Sequence, residues 1–450
     1  MNTNIPYQIQ TGYSFARSGL SCLLSGLLLL LVVFQTSLAS GFGDNLIFHG
    51  FASQGYFYST ENNYPVLHSK NGNAEFNEVA LNVHSLPTER IRIGIQLLAR
   101  DLGDDGNNAV YVDWAYGDFR WRDYLGFKFG KVKFPHGLYN YSRDIDMART
   151  HILLPESVYT DNWRDFTLAM EGMSLYGNSY FSQLGEFEYE FFGGSLNIPN
   201  PNSAYWIDSY TAYNYGTLSW FGARDSDSTT TVEYISDEIR GESIRMPWVY
   251  GGGLFWNTPI PGLKVSATAF AGRYEINHRG SFVRVATPTD TTQQRTTNYG
   301  FLISGWHSYY EAKTFSAEYT LSNLTIAGEY SSFYQETDNN TVGGYYGQIT
   351  YQLNKRFSAS TYYSEYYNNL FDKDGSDLDD SGLNDYFRWQ KELCISGRCD
   401  ISDNWLFKLE IHDINGAALV KRIHNEGSFE NPDVIEKDWM LLVAKTTFHF

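Results

Sequence analysis

The chain has 450 residues, 33 Lys and Arg against 51 Asp and Glu, a formal net charge of −18, and 17% aromatic residues with 35 Tyr, 30 Phe and 40 Gly. An acidic balance of this size argues against a nucleic-acid partner held by a basic face, and three cysteines are too few for a disulfide scaffold. A mean hydropathy of −0.37 excludes a bundle of apolar helices but not membrane strands, in which only every second residue faces lipid.

Arg17 precedes an apolar run from Leu20 to Phe34, followed by Ser37-Leu38-Ala39, a small-x-small site. Residues 1–39 therefore read as a cleaved signal peptide, whose loss of Arg17 takes the net charge from −18 to −19. The run is short for an uncleaved anchor, and Cys22 stands at its start, where a lipoprotein would carry the cysteine at its end. The remaining 40–450 show no linker or low-complexity seam, which favours one closed unit over several soluble β-domains.

Period-two alternation recurs along that stretch. Val79, Leu81 and Val83 oppose Glu78, Asn82 and His84; Ile91, Ile93, Ile95 and Leu97 oppose Arg90, Arg92, Gly94 and Gln96. Phe315, Ala317, Tyr319 and Leu321 oppose Ser316, Glu318 and Thr320, and Phe407, Leu409 and Ile411 oppose Lys408, Glu410 and His412. One apolar and one polar face means that each strand separates oil from water. The pattern predicts sixteen strands, near 45–59, 75–85, 89–100, 108–119, 125–135, 165–177, 185–197, 247–257, 262–275, 309–321, 324–336, 342–353, 357–368, 385–399, 405–414 and 437–450. Tight connections such as Leu86-Pro87-Thr88, Pro259–Gly262, Ser322-Asn323 and Asn354–Arg356 alternate with the long segments 137–164, 198–246, 276–308 and 415–436. The segment 198–246 has room for a further hairpin, so fourteen or eighteen strands stay open.

The last strand carries Met440, Leu442, Ala444, Thr446, Phe448 and Phe450 on one face and Lys445, Thr447 and His449 on the other. This aromatic ending resembles the C-terminal signal of outer-membrane β-barrel proteins. With the export segment it predicts an all-β fold, a transmembrane antiparallel barrel of about sixteen strands in the bacterial outer membrane, with short periplasmic turns and long extracellular loops. A barrel of sixteen to eighteen strands leaves an aqueous channel.

In signal, strand count, loop rhythm and terminal Phe450 the chain resembles the general porins. The resemblance is architectural and spans nearly all of 40–450. It implies passive diffusion of small polar or charged solutes, a homotrimer, contact with lipid and lipopolysaccharide, delivery to the barrel-assembly machinery through Phe450, and no cofactor. It also implies that the third extracellular loop, here 137–164, folds inward as the constriction. That loop carries Ile145, Met147, Ile152, Leu153, Leu154 and Val158, which need a wall to pack on, and Arg143, Asp144, Asp146, Arg149, Glu156 and Arg164, which could line a water path. Packing over the rim or onto a neighbouring subunit is the competing placement.

The Gly130–Pro135 stretch ahead of the loop is similar to the corresponding strand of phosphate-selective and related substrate-specific porins, where basic residues attract anions. Strict alternation puts Lys128 on the face opposite Lys131 and Lys133 unless a bulge intervenes. The other lumen candidates are mixed, Arg90, Arg92, Lys264 and Lys408 against Glu78, Asp113, Glu318, Glu329 and Glu410, so the sign of selectivity stays open.

Asp372–Ser381 has spaced aspartates and a glycine but lacks the terminal Glu and flanking helices of an EF-hand. It reads as an acidic outer loop bridged to lipopolysaccharide by divalent ions. Cys394 and Cys399, on one continuous strand, would lie about 17 Å apart at 3.3 Å per residue, too far to bridge. No Gly-x-Ser-x-Gly elbow, His-Glu-x-x-His pair or spaced Cys/His metal cluster supports a rim enzyme, and no plug domain precedes the first strand. A receptor or adhesin using Tyr205-Trp206 and Tyr210 is the other alternative.

Overall fold

The computed structural model describes residues 46–450 apart from 104, 199, 204, 212–225, 227–229, 289–294, 338, 382 and 430, and only the backbone of 233–238, 282, 295–306 and 379–381. Residues 1–39, read above as a signal peptide, lie outside the described residues.

The strands are β1 (Leu46–Ser59), β2 (Phe76–Thr88), β3 (Ile91–Leu102), β4 (Val110–Arg122), β5 (Leu125–Lys133), β6 (Ala169–Phe181), β7 (Gly185–Asn197) and β8 (Thr230–Asn257). They continue as β9 (Leu263–Pro288), β10 (Arg295–Leu321), β11 (Leu324–Gln335), β12 (Asn340–Gln352), β13 (Phe357–Tyr367), β14 (Trp389–Ser402), β15 (Trp405–Gly416) and β16 (Asp438–His449). Each pairs antiparallel with its chain neighbours, and β1 pairs with β16 from Phe51↔His449 to Ser59↔Leu441, closing a sixteen-stranded barrel. Phe450 completes the seam: its N–H donates to the Gly50 carbonyl at 3.0 Å and its carbonyl accepts from the Gly50 N–H at 3.2 Å. Closure removes the unpaired edge that hydrocarbon would not tolerate.

The two faces separate as the alternation requires. Ile91, Ile93, Ile95, Phe315, Phe407, Leu409 and Ile411 are exposed on the outside, while Gln96, Ser316, Lys408, Glu410 and His412 are buried inside. Trp121, Tyr124, Tyr180, Phe181, Tyr351, Trp405 and Phe448, all exposed, ring the end where the short turns lie. An apolar belt edged by aromatics around a closed barrel is a lipid-facing surface. The protein is an outer-membrane β-barrel; among the described residues no helix is long and apolar enough to cross a membrane.

Turns 89–90, 123–124, 182–184, 258–262, 322–323, 353–356 and 403–404 lie at the end of the barrel that holds Leu46 and Phe450. Two turns differ from the sequence expectation. Leu86, Pro87 and Thr88 belong to β2, where the register with β3 shifts between Ser85 and Thr88, and the turn falls at 89–90. Asp400 and Ser402 likewise stay in β14 around another shift, leaving the turn to 403–404.

The larger correction concerns 198–246 and 276–308. Much of both is strand: β8, β9 and β10 run 28, 26 and 27 residues, pairing as far out as Thr230↔Pro288 and Arg295↔Ala286. Among the described residues no extra hairpin enters the barrel. At about 3.3 Å per residue the excess projects roughly 40 Å past the rim. Above the membrane neither face meets lipid, so the apolar alternation lapses, and register shifts at Ser236/Glu238, Gly241/Ser243, Arg245/Trp248 and Ile303/Trp306 break the period.

Candidate functional site

Between β5 and β6 the chain turns inward. Phe134 stacks on Phe192 with ring centroids 4.6 Å apart and meets Phe270 edge-on at 5.1 Å, anchoring the departure from the wall. Gly137 then takes φ +58°, and a Cβ there would stand 2.3 Å from the Tyr159 hydroxyl and 2.6 Å from a Glu329 carboxylate oxygen. Only glycine fits so close an approach.

The loop crosses to the far wall and is hydrogen-bonded to it at successive points. Glu329 of β11 accepts from the Leu138 N–H at 2.8 Å, the Tyr159 hydroxyl at 2.5 Å and the Tyr346 hydroxyl at 2.7 Å. Lys408 of β15 donates to the Asp146 carboxylate at 2.9 Å and to the carbonyls of Asp146 and His151 at 2.6 and 3.1 Å. Thr447 of β16 donates to Asp146 at 2.6 Å, and Lys445 lies 3.4 Å from Asp146 and 2.6 Å from Glu78. Burial by itself would raise the Asp146 pKa, but Lys408 and Lys445 outweigh it and hold the carboxyl well below its usual range. Glu410 of β15 accepts from the Ile152 and Leu153 N–H groups at 2.6 and 3.1 Å. Arg398 of β14 donates to the Met147 carbonyl at 2.6 Å.

A second ion-pair cluster ties the two ends of the loop together. Arg164 donates to Asp113 at 3.0 Å and to Asp144 at 2.7 Å, Lys133 donates to Asp144 at 2.7 Å, and Arg143 donates to the Tyr159 and Thr160 carbonyls at 2.6 and 2.9 Å. Asp161 sits between Arg143 at 3.2 Å and Arg100 at 3.3 Å. Arg149 braces the loop internally through the Arg143, His151 and Ile152 carbonyls.

The charged residues singled out from sequence thus fall into separate settings. Asp113, Lys133, Asp144 and Arg164 meet, as do Asp146 and Lys408, and Glu329 and Glu410 hold loop N–H groups, so these charges pin the loop instead of projecting into water. Lys128 bonds Glu190 at 3.2 Å, and Lys264 lies opposite Glu318 in the β9–β10 register. Arg92 contacts the His84 ring at 3.2 Å, and Arg90 lies exposed in the β2–β3 turn. Lys131 donates to the Val112 carbonyl at 2.7 Å. Pairing of β4 with β5 ends at Ala115↔Lys131 while β5 continues against β6, which is how Lys133, off the Lys128 face by alternation, still reaches Asp144.

No family model matches the chain and no curated protein matches its sequence. Among solved structures it is similar to OmpF of Salmonella typhi, in complex with daunomycin, at 11% identity over 90% of this chain and 98% of that one, TM-score 0.49. It is similar to an anion-selective porin from Comamonas acidovorans at 10% identity over 90% and 99% of the two chains, TM-score 0.49. The outer membrane channel DcaP of Acinetobacter baumannii follows at 9% identity over 90% and 97%, TM-score 0.45. The likeness is to outer-membrane porins. It is one of overall shape, and at these identities it says nothing of solute or assembly.

In this porin-like barrel the loop also carries Glu156, partly buried at the start of the short helix Glu156–Tyr159. Burial first and the Asp161 charge second push its carboxyl up to about 8, with Glu392 adding to the rise and Arg143 opposing it. A folded-state pKa above the ordinary glutamate value of about 4.5 means that stability is fully present below about pH 4.5 and declines as pH rises through about 8. Thermal unfolding of Glu156→Gln is therefore expected to be flatter with pH than wild type between pH 5 and 9; equal slopes would count against a protonated Glu156.

The structure also gathers residues that sequence reading left apart. His151 of the loop, Glu392 and Cys394 of β14, and Glu410 and His412 of β15 converge in the barrel interior. Alternation had already put Glu410 and His412 on one face; the Cys394↔His412 register across β14–β15 supplies the rest. Cys394 and Cys399 are free thiols, Cys394 inside and Cys399 off its face. Asp372 serves its own loop, accepting from Ser376 at 2.9 Å and facing Arg388 at 2.9 Å.

Proposed function

We propose that the protein is a porin-like passive channel for small polar or charged solutes, with residues 137–164 forming its constriction. The observation that carries this reading is the inner wall below the loop. His84, Asp118, Asn178, Glu188, Lys264 and Glu318 lie there only half-buried, a polar lining suited to water. Cations and acids alternate around this chamber, Lys128 with Glu190 and Lys264 opposite Glu318, which supports weak selectivity. Homotrimer formation, lipopolysaccharide contact and recognition of Phe450 by the assembly machinery belong to the same reading.

A receptor or adhesin is the second reading, supported by the outer half of the lumen. There Trp163 stacks on Tyr310 at 5.9 Å, Phe166 meets Trp206 at 5.4 Å and Tyr210 stacks on His278 at 4.6 Å. Packed aromatics of this kind restrict passage. Single-channel current through the folded protein in a planar bilayer under a salt gradient separates the two. Discrete steps with a small reversal potential are expected; silence from folded protein would move the assignment to the receptor.

A further inference from the structure

We propose that His151, Cys394, Glu410 and His412 form a binding site for a zinc-class divalent cation that staples the inward loop to the barrel wall. His151 Nδ1 lies 3.3 Å from Glu410 Oε1 and 3.9 Å from Cys394 Sγ. His412 Nε2 lies 3.3 Å from Glu410 Oε2 and 3.9 Å from the same sulfur. His151, Cys394 and Glu410 each present a ligand atom within 4.8 Å of the others. Tetrahedral zinc with bonds of about 2.0–2.3 Å sets ligand atoms about 3.3–3.8 Å apart, so small side-chain adjustments close the set. All four residues are at most 2% exposed.

The surrounding groups orient the ligands as metal sites require. His412 Nδ1 is hydrogen-bonded to the Glu392 carboxylate, which leaves Nε2 facing the sulfur and Glu410. Glu392 in turn accepts from the Tyr362 hydroxyl at 2.7 Å. His151 Nε2 meets Ser360 Oγ at 2.7 Å, and its Nδ1, which also meets Ser396 Oγ at 2.9 Å, faces the same centre, so metal binding would displace the Ser396 contact. The neighbouring cation, Lys408, is turned onto Asp146 at 2.9 Å. A borderline-soft cation suits this nitrogen, sulfur and oxygen set, whereas magnesium or calcium would call for oxygen alone.

On binding, a metal–sulfur bond replaces the Cys394 S–H bond and the proton leaves to water. The thiolate and the Glu410 carboxylate then balance the two positive charges of the cation. Because His151 belongs to the loop and the other three ligands to β14 and β15, occupancy would fix the loop against the wall. The site stands independently of whether the barrel conducts.

The test uses tag-free full-length protein, folded and freed of excess metal after exposure to zinc or, separately, to cobalt(II). About one retained zinc per chain and a cobalt spectrum with thiolate charge transfer are expected. The cobalt band should vanish in Cys394→Ser and persist in Cys399→Ser, and Glu392→Gln should weaken zinc affinity about 10–100-fold. No retained zinc in the folded wild type, or a cobalt spectrum without the thiolate band, overturns the proposal even if a variant fails to fold.

Discussion

Removing residues 143–158 is expected to raise single-channel conductance several-fold while the barrel still closes. The strands carry their own backbone ladders, and the seam between β1 and β16 involves no loop residue. The two flanks of the deletion are in contact: the Tyr139 and Tyr159 rings are 5.7 Å apart, and the Tyr159 hydroxyl accepts from the Tyr139 N–H at 2.9 Å. A short glycine linker can therefore rejoin them. The deletion strands Lys408, Lys445 and Glu410 without loop partners, but it also admits water to them, which limits the desolvation cost. Folding would be followed by heat-modified gel mobility, and conductance by bilayer recording. An unchanged conductance in a folded deletion protein would count against the constriction assignment.

Asp146→Ala should have the next largest effect. Asp146 is 1% exposed and lies between Lys408 and Lys445, themselves 0% and 2% exposed. Breaking a buried pair from one side leaves an uncompensated charge and costs about 3–5 kcal/mol; here two ammonium groups would face each other. The loop is expected to detach, exposing new trypsin cleavage after Arg143 or Arg149 and lowering the denaturant midpoint. Adding Lys408→Met should restore part of the protection, because an apolar replacement of the whole pair removes the stranded charge. Cleavage resistance and a midpoint equal to wild type in Asp146→Ala would refute the role given to this pair.

What was legible in the sequence follows from the membrane. Hydrocarbon forces period two on every strand that crosses it, so Ile91 to Leu97, Phe315 to Leu321 and Phe407 to Ile411 disclosed their strands and their outward faces. Where β8, β9 and β10 rise above the lipid that demand ends, and their outer halves read as loops although backbone pairing keeps them extended. The inward course of 137–164 was legible in part, because Ile152, Leu154 and Val158 among charged neighbours require a wall; all three are buried.

The use of the charges was not legible. Lys408, Glu410 and Glu329 look like lumen residues in any alternation, yet each is hydrogen-bonded to the loop. His151 meets Cys394 and Glu410 across 243 and 259 positions of chain. By itself, then, the sequence determined a membrane barrel of about sixteen strands, its lipid face and most of its short turns, since these depend on local alternation against a uniform solvent. Only the tertiary structure decided which charges pair, which face water and which converge on one point. Such contacts depend on strand register and loop path, set by closure of the whole sheet and not by any residue's neighbours in the chain.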